Sequence, residues 1–291
     1  MKTTVNKTDD GTITITVTIP WDTIAKQFDA LMTEAIKQVE IKGFRKGKAP
    51  RDIAEKEIDR AKIYEEAIKH IIPELYQQAL KKQELKPIMD PDIRLAKARE
   101  HEDWEVVFTT CEKPTFDVTQ YQEIIKKAKA ELKKDDLWLP GKDKPEPGKE
   151  TEKGEERKQK QLGSILDALL QGIKFTIPEI LIREDVNRKL VSLVDQLTKL
   201  GMTIDSYCKS KGTTAKALRK QYEQESSSTY KLEFILEELA EKEHVTVEES
   251  EVKEVLSRAE DPKEREQLEH NKYYLAGILR RQKTLDRLMN L

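Results

Sequence analysis

The sequence predicts an α+β domain, in which two long helices cover an antiparallel sheet, followed by an extended all-α body. Two runs, residues 12–19 and 104–110, have the character of strands, and the segment between them has helical periodicity. The length of 291 residues also favours two domains. We therefore expect a first domain at residues 1–115, a connecting segment at residues 116–177 and a helical body at residues 178–291.

The clearest predicted strand is TITITVTI, residues 12–19. Its isoleucines and valine alternate strictly with four threonines, which describes a strand with one buried face. Asp10 and Gly11 form a hairpin signal just before it, so residues 2–8 are expected to pair with it. The run WEVVFTT at residues 104–110 predicts a further strand of the domain.

Two long helices are predicted between these strands. Asp22 is a suitable N-cap for the first helix, which should end at Gly43. Pro50 is well placed to open the second, because the N–H groups of a first helical turn have no intrahelical partner. The apolar positions that define the two helices are Ile24, Phe28, Leu31, Ala35 and Val39, then Ile53, Ile68, Ile71, Ile72, Leu75, Tyr76 and Ala79. Pro87 and Pro91 end the helical pattern.

A polar tract interrupts the connecting segment. Residues 140–161 contain no Ala, Val, Ile, Leu, Met, Phe, Trp, Tyr or Cys. Such a segment cannot bury enough apolar surface to offset the entropy that it would lose on ordering, so we predict a disordered linker. The preceding residues 116–139 are predicted to be partly helical.

Beyond residue 177, apolar residues recur at helical spacing without strand-like alternation or a fixed repeat. The three stripes are Val186, Leu190, Leu193, Val194, Leu197 and Leu200; Leu232, Ile235, Leu236 and Leu239; and Leu275, Ile278, Leu279, Leu285 and Leu288. Such stripes are more typical of the core of a helix bundle than of a peptide groove. Core and exposed leucines have the same periodicity, so the sequence does not show which residues of the body contact a partner.

The bulk composition argues against several classes of protein. Lys and Arg number 53 and Asp and Glu 55, and a net charge of −2 is unsuited to wholesale nucleic-acid binding. Cys111 and Cys208 are far apart and are expected to be free thiols in a reducing compartment. The N-terminus has no apolar signal segment and no stretch reaches transmembrane length, so we expect a cytoplasmic protein without a membrane partner.

Residues typical of catalytic or cofactor sites are scattered along the chain. His70, His101, His244 and His270 have no cysteine or second histidine at metal-ligand spacing. The glycines near Gly154 are not followed by the Lys-Ser/Thr pair of a phosphate-binding loop. We therefore predict no catalytic residue, no metal and no cofactor.

The stretch IKGFRKGKAP, residues 41–50, differs from its surroundings. Residues 41–51 include five cations and no acidic residue, with Phe44 among them. One interpretation is a polar turn between helices, with Phe44 packed back onto them. The other is a docking surface, in which cations face anionic groups and Phe44 fills a pocket or stacks on a base. Gly43 and Gly47 favour docking, because flexible residues on both sides allow the backbone to present the side chains between them together.

GFRKGKAP resembles the ribosome-binding signature of the trigger factor family, bacterial chaperones of the ribosomal tunnel exit. The threonine-rich strand, the helix before the signature and the run WEVVFTTCEKPTFDV are similar to the family's N-terminal domain in order and spacing. FTIPEILIREDVNRKL resembles the start of the family's helical body. The resemblance implies that the large ribosomal subunit, its protein and rRNA at the tunnel exit, is contacted by Phe44, Arg45 and Lys46. It implies that this contact is shaped and supported by Gly43, Gly47, Lys48 and Pro50.

The same resemblance implies an ATP-independent chaperone that binds unfolded nascent polypeptides and delays misfolding. Its substrate-binding body would be residues 178–291. Self-association away from the ribosome is a tendency of the family, and the residues of this chain leave a homodimer open. Family members usually carry a prolyl isomerase domain, whereas here the interval 119–177 is too short and contains the polar tract. We therefore expect a form without that domain, with the linker 140–161 in its place and no isomerase activity. Two alternatives stay open: a helical adaptor that recruits a specific partner to the ribosome, and a loop that binds other RNA.

Overall fold

A computed structural model describes residues 2–135, 150–258 and 268–291, apart from positions 43, 46, 48 and 49. The chain divides into two compact units. The first unit comprises residues 1–113 and 178–181, and the second comprises residues 114–177 and 182–291. The predicted fold class, an α+β domain followed by a helical remainder, is confirmed.

The first unit is built on a four-stranded antiparallel sheet. In chain order the strands are β1 (Lys2–Lys7), β2 (Thr12–Ile19), β3 (Asp92–Lys97) and β4 (Trp104–Cys111). Their order in the sheet is β1-β2-β4-β3, so β2 and β4 are central and β1 and β3 are the edges. The predicted hairpin of β1 and β2 is confirmed, with Val5 opposite Ile15.

The alternation in β2 decides which face of the sheet is buried. The four apolar residues of β2 are at most 2% exposed, whereas its threonines are half-buried. Phe108 and Val106 of β4 lie directly opposite Ile15 and Val17, so the central strands share one apolar row. A register shift of one residue would turn this row toward solvent, and the pairing is therefore well determined.

The first long helix, α1 (Trp21–Gln38), begins and ends earlier than predicted. Pro20 precedes it, so the N-cap prediction for Asp22 is wrong. The charge of Asp22 instead lies in the first turn, where it suits the helix dipole. The helix stops before Gly43 because the backbone is already extended at Val39.

The second predicted long helix is two helices, α2 (Arg51–Glu57) and α3 (Arg60–Gln83). Ile58 between them is extended, and the carboxylate of Asp59 then accepts the N–H of Ala61 at 3.0 Å to cap α3. α1 and α3 are thus the two long helices of the predicted fold, and their apolar side chains pack against the core row of the sheet.

The described part of the remaining chain is helical. Its helices are α4 (Tyr121–Asp135), α5 (Glu150–Gly172), α6 (Glu179–Lys199), α7 (Ile204–Ser210), α8 (Ala215–Lys242), α9 (Glu249–Arg258) and α10 (Lys272–Asn290). Among the described residues, no helix has the combination of length and apolar character that crossing a membrane requires.

The core of the second unit shows that residues 116–177 are more than a connecting segment, so that prediction is wrong. Ile125 of α4, Ile165 of α5, Ile235 of α8 and Leu288 of α10 are fully buried in one cluster. α4 and α5 pack against each other, and their buried side chains share this cluster with those of α8 and α10. They therefore belong to the helical body, although the sequence separates them from it.

The predicted disordered linker at residues 140–161 is wrong in part. Residues 150–161 form the first half of α5. The rest of the tract, residues 140–149, lies outside the described residues. Glu, Lys, Arg and Gln favour helix, and extending a helix costs far less than nucleating one. Because Ile165 and Leu169 anchor the second half of α5, the helix extends into a polar segment whose residues 157–160 are exposed.

Candidate functional site

The loop between α1 and α2, residues 39–50, contains the candidate docking residues, and α1 packs against α3 before the loop begins. The rings of Phe28 in α1 and Tyr64 in α3 stack with centroids 4.2 Å apart. The Arg60 guanidinium lies over Phe28 at 5.1 Å from the ring centroid. Met32, one turn further along α1, is fully buried. These contacts hold the end of α1 from which the loop departs.

Phe44 lies on the surface of the loop, with 43% of its area exposed. Its backbone N–H donates to the carbonyl oxygen of Ile41 at 3.1 Å, which closes a turn. Lys42 and Arg45 on either side are also exposed. An aromatic ring is therefore presented next to cations, as the docking interpretation expected. Three predicted site residues lie outside the described residues: Gly43, Lys46 and Lys48.

Gly47 brings the loop back against the end of α1. Its φ of +71° lies in the left-handed region that other residues rarely adopt. A Cβ atom added here would lie 2.6 Å from the carbonyl oxygen of Lys37, in the last turn of α1. Both the conformation and the close approach therefore require glycine at this position.

Pro50 ends the loop and precedes α2. Its carbonyl oxygen accepts the N–H groups of Ile53 and Ala54, both at 3.1 Å, which starts the helix. Ala54 is fully buried, so α2 is attached to the unit directly after the loop. The second half of the loop is thus anchored twice, by the close approach of Gly47 to α1 and by Pro50 at the start of α2.

Arg51, the last cation of the basic stretch, is engaged within the first unit. Its guanidinium donates to Glu55 at 2.5 Å and to Asp29 of α1 at 3.3 Å. The hydrogen bond to Glu55 raises the pKa of Arg51 further above its usual value. The docking charge available among the described residues therefore comes from Lys42 and Arg45.

Cys111 and Glu243 are two titratable groups that the fold surrounds with its own side chains. Cys111 is buried, and desolvation together with the charge of Asp10 raises the pKa of its thiol to about 11, which keeps it protonated at neutral pH. Glu243 accepts hydrogen bonds from Tyr121 and Arg287, and these lower the pKa of its carboxyl group. No group of three or more His, Cys, Asp or Glu side chains in the described ranges could hold a metal ion.

A second candidate surface lies on the helical body, where large apolar side chains are exposed. On or just after α6 these are Val191, Val194, Leu200 and Met202, and on α10 they are Tyr273, Tyr274 and Ile278. Leu200 is 74% exposed and Tyr273 is 96% exposed. We call these seven residues the exposed apolar set of the body.

The exposed apolar set corrects part of the predicted bundle core. Val194, Leu200 and Ile278 belong to stripes that were predicted as core, and the structure leaves them on the surface. In α6 only one side of the stripe is covered, with Val186 and Leu197 inside. No pattern in the sequence distinguishes the two sides, since both have helical spacing.

A pocket of about 230 Å³ lies between α8 and α10. Small and apolar residues line part of it and charged residues line the rest: Leu236, Ala240, Gly277 and Thr284, then Glu233, Glu237, Arg280 and Arg281. A Cβ atom added to Gly277 would meet nothing within 4 Å, so the absence of a side chain at this position contributes to the pocket. Arg281 forms an ion pair with Glu233 at its rim.

Two family models match the chain. The model described as bacterial trigger factor protein (TF) matches residues 1–138, and the model described as bacterial trigger factor protein (TF) C-terminus matches residues 147–289. Only residues 139–146 lie between the two matched ranges. Models of one family therefore cover both the N-terminal part of the chain and its helical body.

Individual trigger factors are similar to this chain over less than half of its length. The trigger factor of Corynebacterium aurimucosum is 35% identical over 130 residues, which cover 45% of this chain and 29% of that protein. The trigger factor of Thermobifida fusca is 30% identical over 124 residues, which cover 43% of this chain and 27% of that protein. The chain thus matches less than a third of the length of these relatives.

A solved structure shares the fold of the whole chain. It is described as "Promiscuous Substrate Recognition in Folding and Assembly Activities of the Trigger Factor Chaperone". The TM-score is 0.65, with 13% sequence identity and coverage of 100% of this chain and 99% of that chain.

Proposed function

Because this chain belongs to the trigger factor family, we propose that it is a ribosome-associated molecular chaperone. The 39–50 loop docks on the large ribosomal subunit at the tunnel exit, and the helical body holds emerging unfolded polypeptides. Release needs no ATP, because each contact with a client is weak and docking keeps the local concentration of binding surface in about the millimolar range. The protein works in the cytoplasm, where these clients emerge.

The observation that carries the docking is the exposure of Phe44 beside Arg45 on a loop that is anchored at Gly47 and Pro50. Aromatic residues and arginine contribute most of the binding energy at interfaces, and aromatic rings also stack on bases. Gly47 and Pro50 restrain the loop before binding, so less conformational entropy is lost when it docks. Where the cations meet rRNA phosphates, the affinity falls as salt rises, because neutralised phosphates release counterions.

The holding of clients is supported by the exposed apolar set of the body. Val191, Leu200 and Tyr273 are each more than half exposed and contribute little to the core. Unfolded polypeptides expose apolar side chains that folded proteins bury, so apolar surface of this kind favours unfolded clients. Its distribution over two helices suits clients of varied sequence.

We infer that the chain has no prolyl isomerase activity. An isomerase pocket needs apolar walls of aromatic and aliphatic side chains. The eight residues from 139 to 146 that separate the matched ranges are far too few for a further domain. A refolding reaction limited by proline isomerisation should therefore keep its uncatalysed rate in the presence of the protein. Acceleration well above that rate would contradict this inference.

Replacement of Phe44, Arg45 and Lys46 by alanine tests the docking. We expect the triple variant to lose co-sedimentation with ribosomes while its circular dichroism spectrum and thermal unfolding stay unchanged. Val191→Ala with Leu200→Ala is the matched control, because it removes exposed apolar surface from the body and should leave ribosome binding intact. Unchanged co-sedimentation of the triple variant would refute the docking role.

Aggregation of several unrelated unfolded proteins tests the holding. We expect suppression for all of them, to the same extent with and without ATP. An adaptor that recruits one specific partner would suppress none of them, so this result separates the two functions. Sedimentation of the free protein at several concentrations tests the homodimer that belongs to the same proposal.

A further inference from the structure

β3 forms one edge of the sheet in the first unit. Among the described residues it pairs only with β4, with Ile93 opposite Phe108 and Leu95 opposite Val106. In an antiparallel ladder, successive residues direct their N–H and C=O groups to opposite sides of the strand. Every second residue of β3 therefore presents its main-chain hydrogen-bonding groups away from β4.

Two apolar side chains continue the buried row of the sheet to this edge. Because directly paired residues share a face, Ile93 and Leu95 lie on the same face as Phe108 and Val106. Those two residues of β4 are fully buried, whereas Ile93 is 43% exposed and Leu95 is 37% exposed. The helices that cover the central strands thus leave the β3 end of the row uncovered. Ile88, whose N–H bonds to the end of β4, is also exposed.

The other face of this edge carries a cation. Arg94 lies between the two apolar residues and, because side chains alternate along a strand, on the opposite face. It is exposed, and it forms no ion pair within the described parts of the chain. Lys97, by contrast, pairs with Glu105 of β4 at 2.9 Å. Arg94 is therefore the charge that a carboxylate on an added strand can neutralise.

The free edge is short. Pro91 has no N–H, and the register with β4 shifts between Leu95 and Lys97. The regular edge is thus limited to residues 92–95. A stable dimer buries roughly 1,200 Å² or more, far above what such an edge can supply. A weak and reversible ligand therefore suits it better than a second copy of the chain.

We propose that β3 is a further client-binding site, at which an extended segment of an unfolded polypeptide adds a strand to the sheet. The segment pairs its main chain with residues 92–95, as in other strand-addition complexes. Its alternate apolar side chains cover Ile93 and Leu95, and an acidic residue between them pairs with Arg94. The site thus recognises an extended conformation as well as apolar character. It deepens the proposed chaperone function, and the identity of its ligand rests on that function.

A labelled peptide tests this site in the full chain. The probe has about ten residues, enough for one strand, with valine alternating with threonine and a central threonine replaced by aspartate. We expect binding by fluorescence anisotropy and shifts of the amide resonances of residues 92–95. Two control peptides should bind about tenfold more weakly or worse. One has the same composition with its valines in a block, and the other has N-methyl groups that remove main-chain donors.

Substitutions in β3 separate the side-chain contributions. Ile93→Thr with Leu95→Thr removes exposed apolar surface and keeps residues suited to a strand, and it should weaken binding about tenfold. Arg94→Asp should weaken binding of the aspartate peptide and strengthen binding of the same peptide carrying lysine. Ile53→Thr on α2, where the side chain is 41% exposed, is the matched control and should leave the affinity unchanged. Thermal unfolding of each variant verifies the fold.

Equal peptide affinity in the unaltered chain and in both β3 variants would overturn the site, as would resonance shifts confined to the second unit. If the chain self-associates, the β3 variants lose that self-association and no peptide binds, then the edge binds a second copy of the chain. That result would also overturn the proposed client-binding site. The aggregation assay is independent of these measurements. Suppression without peptide binding at β3 removes this site and retains the chaperone, whereas peptide binding without suppression retains the strand-binding site and removes the chaperone.

Discussion

The two units use their apolar side chains differently. In the first unit, the core-facing residues of β2 and β4 are almost wholly buried, and exposed apolar side chains occur near the 39–50 loop and the β3 edge. In the second unit, α6 and α10 carry buried and exposed apolar side chains on the same helix. The proposed docking of the first unit thus depends on one small loop between packed helices, whereas the proposed holding by the second depends on apolar surface distributed over two helices.

This difference follows from the geometry of strands and helices. A central strand is hydrogen-bonded along both of its edges, so only its two faces can differ in burial. Successive side chains point to opposite faces, and a period of two in the sequence therefore separates the buried residues from the others. A helix has a continuous circumference, and its neighbours decide how much of that circumference is covered. Helical units can therefore leave apolar surface exposed without losing their core, which is the property that a chaperone for varied clients requires.

Phenylalanine truncation should have opposite consequences at two positions of the first unit. Phe108→Ala should lower its free energy of unfolding by about 3–5 kcal/mol, because the change leaves a cavity in the buried row. Phe44→Ala should change it by no more than about 0.5 kcal/mol, because the ring is on the surface. Urea unfolding followed by near-ultraviolet circular dichroism measures both values. Similar losses would mean that Phe44 is a core residue, contrary to its proposed role.

In the second unit, truncation within a partly buried polar cluster between α6 and α8 should have the next largest effect on stability. Asp185 accepts hydrogen bonds from Ser226 at 2.6 Å, and its carboxylate pairs with Lys189 at 2.8 Å. Ser226 is fully buried. Asp185→Ala leaves it without this acceptor, so we expect a loss of about 1–3 kcal/mol in urea unfolding. Arg183→Ala, at a more exposed position of α6, is the control and should cost little.

The same cluster gives a pH dependence with a defined sign. Burial alone would raise the pKa of Asp185, but hydrogen bonds from Lys189 and Ser226 lower it below its usual value. A folded pKa below the unfolded one, about 3.9, contributes stability that is complete above that pH and is lost as the pH falls through the folded pKa. Stability measured from pH 6 downward should therefore fall less steeply in Asp185→Ala than in the unaltered chain. Parallel curves would contradict the lowered pKa.

Glycine replacement should distinguish a required glycine from a tolerated one. Gly47→Ala should cost about 1–2 kcal/mol, because of its positive φ and the contact with the Lys37 carbonyl, and should weaken ribosome co-sedimentation. Gly163→Ala in α5 should instead stabilise by up to about 1 kcal/mol, since a Cβ there meets nothing within 4 Å. Thermal unfolding compares the two variants. A stabilised Gly47→Ala would contradict the loop geometry.

Replacement of exposed apolar residues on or just after α6 should have the smallest effect on stability and a separate effect on client binding. Val191→Thr with Leu200→Thr should change the free energy of unfolding by about 0.5 kcal/mol or less, and it should reduce the suppression of client aggregation. Leu197→Thr, a single change on the buried side of the same helix, should destabilise the protein. Undiminished suppression by the double variant would exclude this surface from client binding.

Part of the first unit could be predicted because its signals are local. β2 is identified by alternation, its hairpin with β1 by Asp10 and Gly11, and the candidate loop by its glycines and cations. β3 could not be predicted, because its residues, DIRLAK, carry three charges, and Ile93 and Leu95 alternate with charged residues over only four positions, too few to identify a strand. It is a strand because β4 is available to pair with it. Similarly, the engagement of Arg51 depends on Asp29, which is distant in the chain.

The sequence by itself determined the hairpin of β1 and β2, the presence of β4 and of the helices, and the place of the candidate loop. Periodicity, turn residues and composition are properties of neighbouring positions, and those features depend on little else. Only the tertiary structure decided that α4 and α5 belong to the helical body, that Leu200 is exposed while Leu197 is buried, and that Ile93 and Leu95 lie at an uncovered edge. The physical reason is that burial is a property of pairs of surfaces, and the partner of each surface is supplied by a distant part of the chain.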